Sequence, residues 1–246
     1  MLRYIEDPSK DMHRDMAMEC YKLPKGIPPA YWKCKDSKLG NGHVVRYCAK
    51  NMYVFPEFYG AWYATCAKAL WKAIDRLNLT SPEGLHMRDH LSSVGIGERG
   101  DCKPNQEPRP GTFEEHMRAV EKHFWGTRFK AYSKWKWDWW DLYLKRGYFE
   151  TLTGFVLHGV MGRRDVINYP VQGSAFHCLL KALVIELQVR MRKAKMRSKL
   201  VGQIHDSILG DVHRDERDDF IAMAKYLMTE WLPDLWKWII VPMEIE

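Results

Sequence analysis

The sequence has no apolar run long enough to cross a membrane. Even the apolar stretch 61–79 is broken by Lys68, Lys72, Asp75 and Arg76, whereas a membrane-spanning helix needs about 20 consecutive apolar residues. Nothing at the N-terminus resembles the apolar core of a secretory signal. These absences disfavour an integral membrane protein and a secreted one, so we expect a soluble protein with no membrane partner.

Paired cysteines are also lacking. None of the six cysteines stands in a C-x-x-C pair, which disfavours a zinc ribbon or a disulfide framework and favours reduced thiols in a cytoplasm. His86 and His90 have the spacing of zinc ligands on one helical face, with Cys102 or His116 near in sequence. Because the pattern has neither a cysteine pair nor a glutamate base, we predict no metal site there.

An excess of charge of one sign is nearly absent. The chain has 38 basic and 31 acidic residues, a formal net charge of +7, so charge alone favours a nucleic-acid partner no more than an ordinary basic protein. Hydrophobic residues make up 46% and aromatic residues 13% of the 246 residues. That is enough for a core in one large domain or two modest ones.

The first half of the sequence is predicted to be helical. Apolar periodicity and capping residues predict helices over four stretches: 11–23, 43–54, 61–77 and 112–146. Pro56 is expected to end or kink the second of them, since it has no N–H to donate. Residues 92–112 are rich in glycine and proline and are predicted to form an exposed loop. The tryptophans of the last helix favour core packing over base stacking.

The second half has a different texture. Short strands are predicted over 148–153 and 155–158, and a long helix runs through Ser174 to Met191. Further elements follow in order: hairpin strands 200–204 and 207–212, a helix 215–231 and a final strand 239–245. The fold class is therefore α+β, and we place the domain boundary near Gly147, giving domains 1–146 and 147–246.

Two cations on the second helix are candidates for binding a triphosphate. Arg46 and Lys50 lie one turn apart, where Arg could bind phosphate as a planar fork and Lys as a point charge. The alternative is a pair kept for solubility, as on many helices.

Two further groups could carry chemistry in the second half. Arg164, Asn168 and Gln172 recur at steps of four and suit contacts to phosphates, sugars or minor-groove base edges. Asp206 stands at the predicted hairpin tip, where a carboxylate can reach a metal. The alternatives are a solvated helix start for the first group and an ordinary turn residue for Asp206.

Taken in order, these motifs resemble the family A DNA polymerases, the bacterial DNA polymerase I-like enzymes. The first resemblances are Asp11-Met-His13 and Arg46-x-x-x-Lys50 through Phe55 to Tyr59-Gly60. The resemblance implies that His13, Arg46 and Lys50 contact the incoming nucleotide's phosphates, and that Phe55 and Tyr59 face the nascent base pair.

Two departures affect the second helix. One residue more than the family's spacing separates Lys50 from Phe55, and Pro56 replaces the usual glycine. The choice of Phe55 over Tyr53 as the aromatic that faces the base pair is therefore left open.

The second half also resembles the family. The quoted pattern is Arg164-x-x-x-Asn168-x-Pro-x-Gln172-Gly, followed by Gln203-Ile-His205-Asp206. The resemblance implies that these residues contact primer and template, with Asp206 as a catalytic ligand of magnesium. The sequence departs from the family's pattern at two places: Ser207 stands in place of a common glutamate, and Phe176-His177 in place of a common Ala-Asp.

The resemblance implies helical fingers over 1–146 followed by an antiparallel-sheet palm over 147–246. The implied activity is DNA-directed addition of deoxynucleotides to a primer by phosphoryl transfer with two Mg²⁺ ions. The family's first catalytic aspartate is absent from these residues. We therefore expect a phage-type, split enzyme in the cytoplasm of a bacterial cell, whose second polypeptide supplies that aspartate, the thumb and an exonuclease domain where there is one. The alternative is a catalytically silent module that binds DNA or a polymerase.

Overall fold

A computed structural model describes residues 7, 9–34, 40–100, 103, 106–243 and 245. The chain divides into two compact units, Met1–Asp138 and Trp139–Glu246. Helices fill the first unit, whereas the second combines helices with two small antiparallel sheets. The predicted α+β class is confirmed. The division falls inside a helix, a little before the predicted boundary at Gly147, and the assignment of the units as fingers and palm stays a prediction.

Seven helices, α1 to α7, begin in the described part of the first unit, and α7 continues into the second unit. The single-segment helices are α1 Met12–Cys20, α2 Pro29–Lys33, α4 Tyr63–Arg76, α5 Met87–Ser93 and α7 Lys130–Arg146. Two helices are composite. The segments of α3 are Gly42–Ala49, a π-helical stretch Lys50–Val54 and Phe55–Phe58, and those of α6 are Phe113–His123 and a π-helical stretch Phe124–Arg128.

Helix α3 continues through Pro56, so of the two predicted outcomes, an end or a kink, the end is not observed. The N–H of Phe55 bonds to the carbonyl of Lys50, five residues back. This wider π turn leaves more room for the proline ring than an α turn would. The helix ends instead at Gly60, whose φ of +82° favours glycine. There the N–H of Ala61 donates to the carbonyl of Pro56 at 2.8 Å.

The predicted long helix over 112–146 is interrupted. Thr112 caps its start, accepting from the backbone N–H of Glu115 as the sequence pattern predicted. At Phe129 the backbone leaves the helical region, with φ −122° and ψ 37°. The ring of Phe129 is buried against Phe124 and Phe58. Burial of this aromatic cluster accompanies the break between α6 and α7.

The core of the first unit lies between α1, α3, α4 and α6. Small residues allow α1 and α3 to approach closely: Ala17 and Cys20 face Cys48 and Ala49 in the core, all fully buried. Leu70 of α4 belongs to the same cluster. Cys20 and Cys48 are free thiols.

The second unit contains strands β1 Tyr148–Glu150 and β2 Val156–His158, then helix α8, strands β3 and β4, and helix α9. The segments of α8 are Arg163–Leu179, a π-helical stretch Leu180–Glu186 and Leu187–Lys193. Strands β3 Lys199–Ile204 and β4 Ser207–Asp211 form a hairpin, and β1 pairs only with β2. After a short turn of 3₁₀ helix, α9 comprises Arg217–Tyr226, a π-helical stretch Leu227–Trp231 and Leu232–Leu235.

The predicted final strand over 239–245 is wrong for the residues that the structure describes there, 239–243 and 245, which have no strand geometry. An apolar run becomes a strand only where a neighbouring strand offers hydrogen-bonding partners. Here Ile239, Met243 and Ile245 instead pack against the core formed by α8 and α9.

Helix α7 holds the start of α8 through two side chains. Pro170 has no N–H, so it leaves the carbonyl of Val166, four residues back, without its helical donor. The indole N–H of Trp139 donates to that carbonyl at 3.0 Å. The hydroxyl of Tyr143 donates to the carbonyl of Gly159 and accepts from the N–H of Met161 at 2.9 Å. Trp139 thus has the packing role that the sequence favoured, whereas Trp137 of the same helix is 56% exposed.

No helix in the described part of the chain is both long enough and apolar enough to cross a bilayer. The two histidines with zinc-like spacing have local roles. His86 caps α5 by accepting from the N–H of Arg88, and the Nε2 of His90 lies 3.2 Å from the carbonyl of Lys22.

Candidate functional site

Asp11 organises the predicted nucleotide-binding group in the first unit. Its Oδ1 accepts from the backbone N–H groups of His13 at 2.8 Å and Arg14 at 3.0 Å, which begins α1. Its Oδ2 accepts from the Nε of Arg46 at 2.7 Å. Partial burial opposes ionisation of Asp11, but the Arg46 guanidinium and the backbone donors outweigh it and lower the carboxyl pKa. This carboxylate therefore joins the start of α1 to α3.

His13 is a half-buried imidazole beside α3. Its ring meets the Phe55 ring edge-on, with centroids 5.9 Å apart. Burial lowers the His13 pKa, and the positive charges of Arg46 and Lys50 lower it further against the opposing effect of Asp11. At neutral pH the ring is neutral. Its buried Nδ1 has no hydrogen-bond partner among the described residues.

The π-helical stretch of α3 places Lys50 and Phe55 together. The ammonium of Lys50 lies over the Phe55 ring, 5.2 Å from its centroid. A π turn contains one residue more than an α turn, and the stretch Lys50–Val54 absorbs the extra residue that the sequence has between these two side chains. Despite the extra residue, the π turn therefore keeps Lys50 and Phe55 on one face of α3.

Exposure separates the aromatic candidates of α3. Phe55 is 37% exposed and Tyr59 is 41% exposed, and their ring centroids are 6.3 Å apart. Tyr53 is fully buried, with its ring packed against Phe124 at 5.4 Å. Of the two alternatives, only Phe55 has an exposed ring, which lies beside His13 and Lys50.

The predicted primer-template residues lie in the second unit. Arg164, Asn168 and Gln172 occupy one side of the first segment of α8, where Arg164 and Gln172 are exposed and Asn168 is half-buried. Ser174 ties this segment to the loop after β1, because its hydroxyl accepts from the N–H of Leu152 at 3.1 Å. A rigid helix with a polar outer edge suits contacts to a nucleic-acid backbone.

His205 and Asp206 form the two-residue tip of the β3–β4 hairpin, as predicted. Ile204 pairs with Ser207 directly below the tip. His205 adopts a left-handed conformation, with φ of 52°, and its carbonyl accepts from the Gln203 amide at 2.9 Å. Asp206 is exposed. Its carboxylate is a hard oxygen donor that magnesium accepts. Across the described residues, however, no three His, Cys, Asp or Glu side chains are grouped to hold a metal ion.

The structure therefore brings five predicted residues together: His13, Arg46, Lys50, Phe55 and Tyr59. The primer-template residues and Asp206 lie in the second unit. Their roles stay predictions.

Three side chains with structural roles were not predicted from the sequence. The first is Asp11, although an aspartate just before a helix is typical of a cap. Glu57, a carboxylate inside an apolar run, is fully buried. His177 was noted only as a departure; its Nδ1 contacts the Thr153 hydroxyl and so ties α8 to the β1–β2 hairpin.

Residues 142–246 match the sequence model of DNA polymerase family A. DNA polymerase I of Lactococcus lactis subsp. cremoris is 40% identical over 67 residues, covering 27% of this chain and 8% of that protein. Thermostable DNA polymerase I of Thermus thermophilus is 28% identical over 145 residues, covering 54% of this chain and 16% of that protein. The matched part of the chain is thus similar in sequence to this family.

The fold is similar over nearly the whole chain. The POL domain of Pol1 from M. smegmatis, solved in complex with DNA primer-template and dNTP, superposes with a TM-score of 0.53 at 18% identity. The likeness covers 93% of this chain and 32% of that one. At this identity the comparison establishes the fold alone. The chain spans only 8% of the length of the Lactococcus relative and 16% of the length of the Thermus relative.

Proposed function

We propose that this chain is the C-terminal part of a DNA-directed DNA polymerase of family A. The enzyme would work in the cytoplasm of a bacterial cell, either uninfected or infected by a phage. The observation that carries the proposal is the cluster on α1 and α3. Two cations, a neutral imidazole and two exposed aromatic rings stand together there. This combination suits a deoxynucleoside triphosphate, which has both a polyanionic tail and a flat base.

The cations would bind the triphosphate. Arg46 is oriented by Asp11, which holds its Nε at 2.7 Å and leaves the guanidinium's other nitrogens for phosphate oxygens. Lys50 adds a point charge from the next turn. The neutral His13 ring can contribute a hydrogen bond without adding charge.

The aromatic rings would contact the base. Phe55 and Tyr59 are exposed on the same side of α3. Their flat faces can stack against a base pair without selecting its sequence. The same helix would thus hold the triphosphate with its cations and test the nascent pair with its rings.

Primer and template would lie against the second unit. The polar edge formed by Arg164, Asn168 and Gln172 would contact backbone phosphates and minor-groove edges, and His205 would contact the primer end. In the reaction, the primer 3′-hydroxyl attacks the α-phosphate in line and pyrophosphate leaves.

Asp206 fits one part of a magnesium site. When bound, two Mg²⁺ ions would stabilise the attacking and leaving oxygens. Asp206 would hold them from the hairpin tip, but one carboxylate cannot balance two divalent ions. We therefore propose that a further aspartate outside the described residues completes the site, carried either by a second polypeptide with the thumb and any exonuclease domain or by another segment of the same protein.

The test is primer extension by the complex isolated from the native source. Asp206→Asn keeps the size of the side chain and suits the turn equally well. We expect single-turnover extension to fall by several orders of magnitude, while the thermal stability of the complex is unchanged. Extension at a near wild-type rate would refute the catalytic assignment and favour a silent DNA-binding or polymerase-binding module.

A further inference from the structure

A pair of carboxyl groups joins the end of α3 to α6, with Glu57 fully buried and Glu121 half-buried. Glu57, in the last turn of α3, is 0% exposed, and its carboxyl hydrogen-bonds with that of Glu121 on α6. The other contacts of Glu57 are to donors. The indole N–H of Trp125 donates to its Oε2 at 2.8 Å, and the thiol of Cys66 points at its Oε1 at 3.6 Å.

The pair connects three helices. Glu57 belongs to α3, and Glu121 belongs to α6. Glu121 also accepts, through Oε1, from the backbone N–H of Tyr63 at 2.8 Å. Tyr63 is the first residue of α4, and its N–H has no helical partner of its own. The pair thus fixes the end of α3 and the start of α4 to α6.

Two carboxylates in contact inside a protein cannot both be ionised at neutral pH. Burial, followed by the negative charge of Glu121, raises the pKa of Glu57 to about 8. Burial also raises the pKa of Glu121. One proton shared between them lets each group act as donor to or acceptor from the other.

Burial raises the pKa of Glu121 more than the nearby cations lower it. The groups that face the pair from the neighbouring helices are the Cys20 and Cys66 thiols, the Tyr53 hydroxyl, the Trp125 indole, and the cations Arg118 and Lys136 beside Glu121. The thiols and the phenol are buried and neutral. The ammonium of Lys136 lies over the Trp125 ring, 3.1 Å from its centroid.

We propose that Glu57 and Glu121 share one proton as a positioning pair, which holds the end of α3 with Phe55 and Tyr59 against α4 and α6 and releases it when the proton is lost to solvent. The part of this proposal that concerns nucleotide binding by α3 rests on the function proposed above. Glu57 acts through α3 and does not itself touch a ligand. Loss of the shared proton leaves two adjoining negative charges, and their repulsion separates α3 from α6.

The first experiment needs no variant. Carbon-13 NMR of the glutamate carboxyl groups in the full chain should show one carboxyl that titrates near pH 8, well above the usual value of about 4.3. The shared-proton proposal is overturned if every glutamate titrates below about pH 6.

The second experiment compares stability across pH with Glu57→Gln, which keeps the shape of the side chain but cannot ionise. Glu57 binds its proton more tightly when folded, so its contribution is full below about pH 4.3 and is lost as pH rises through its folded pKa. We expect the Tm of the wild-type chain to fall relative to Glu57→Gln by several degrees between about pH 5 and about pH 9. Parallel Tm profiles contradict the proposal. Glu230→Gln, at an exposed position, should follow the wild type.

The third experiment tests positioning. Hydrogen exchange of the amides over 55–63, corrected for intrinsic rates, should speed up severalfold in the wild type from about pH 6.5 to about pH 9 and stay level in Glu57→Gln. Equal acceleration in both proteins overturns the positioning role. Binding of dATP by the wild type should weaken severalfold over the same interval. No dATP binding at either pH, with exchange as expected, supports the pair and contradicts the proposed nucleotide site.

Discussion

Replacement of Lys50 is expected to separate nucleotide use from DNA binding. Its ammonium lies over Phe55 on the exposed face of α3. Lys50→Ala removes one charge-assisted phosphate contact, so we expect a loss of about 2–4 kcal/mol in transition-state stabilisation for the assembled enzyme. Single-turnover extension measured against nucleotide concentration gives this number. Arg46→Ala should behave alike.

The matched control for Lys50 is Lys72→Ala, at an exposed position of α4. It removes the same charge elsewhere in the same unit and should leave nucleotide use unchanged. Primer-template affinity should be nearly intact in both variants. A large loss of DNA affinity with unchanged nucleotide kinetics would mean that α3 faces the nucleic acid and not the triphosphate.

Single residues also show how far sequence reasoning reaches. Asp206 at a hairpin tip and Thr112 at a helix start were predictable, because turns and caps depend on a few neighbouring residues. The ion pair of Asp11 with Arg46 was not, since it joins residues 35 positions apart. The burial of Glu57 was not predictable either, because its partner Glu121 lies on a helix that is distant in sequence. Nothing in either local sequence indicates that pairing.

At the scale of elements, the π-helical stretch of α3 predicts an unusual tolerance. Deleting Asn51 removes the extra residue between Lys50 and Phe55 and allows a regular α turn in its place. We expect the deletion to change the free energy of unfolding by no more than about 1 kcal/mol, as measured by urea denaturation. Deleting Lys72 from the regular helix α4 should instead unfold the first unit, since it rotates the buried residues that follow. Unfolding of the Asn51 deletion would show that the stretch is structurally required.

A second element-scale prediction concerns the Pro170 break in α8. Trp139→Phe removes the indole N–H that satisfies the carbonyl of Val166, and an unsatisfied buried carbonyl costs about 1–3 kcal/mol. Trp140→Phe, on the same helix, is the control and should cost less. In a Pro170→Ala background the new N–H can bond to Val166, so Trp139→Phe should lose much of its effect. Additive effects in this double-mutant cycle would contradict the assigned role.

Elements were predictable to different degrees for physical reasons. Helices α4 and α8 repeat their apolar residues at helical spacing, and the β3–β4 hairpin alternates around a turn, so local pattern suffices. The π-helical stretches were not foreseen, because they change a backbone hydrogen-bond register without changing apolar periodicity. The strand expected over 239–245 failed because pairing depends on a neighbour that the local sequence does not specify.

At the scale of the whole molecule, the metal site is incomplete within the described residues. Asp206 belongs to no group of three or more His, Cys, Asp or Glu side chains there that could hold a metal ion. We therefore expect the 246 residues, purified alone, to extend no primer with magnesium. Robust extension by these residues alone would refute the proposal that a further aspartate is required.

Exposed apolar side chains in the second unit predict association. Leu152, Phe155, Val160 and Val201 are each more than half exposed, and the two-stranded sheets leave backbone groups of edge strands unpaired. Sedimentation of the isolated chain should therefore depend on concentration. Val201→Lys places a charge on the exposed side of β3 and should shift the chain toward monomer without lowering its Tm, because that side chain is 64% exposed. A well-folded wild-type monomer at both low and high concentration would show that these surfaces need no partner.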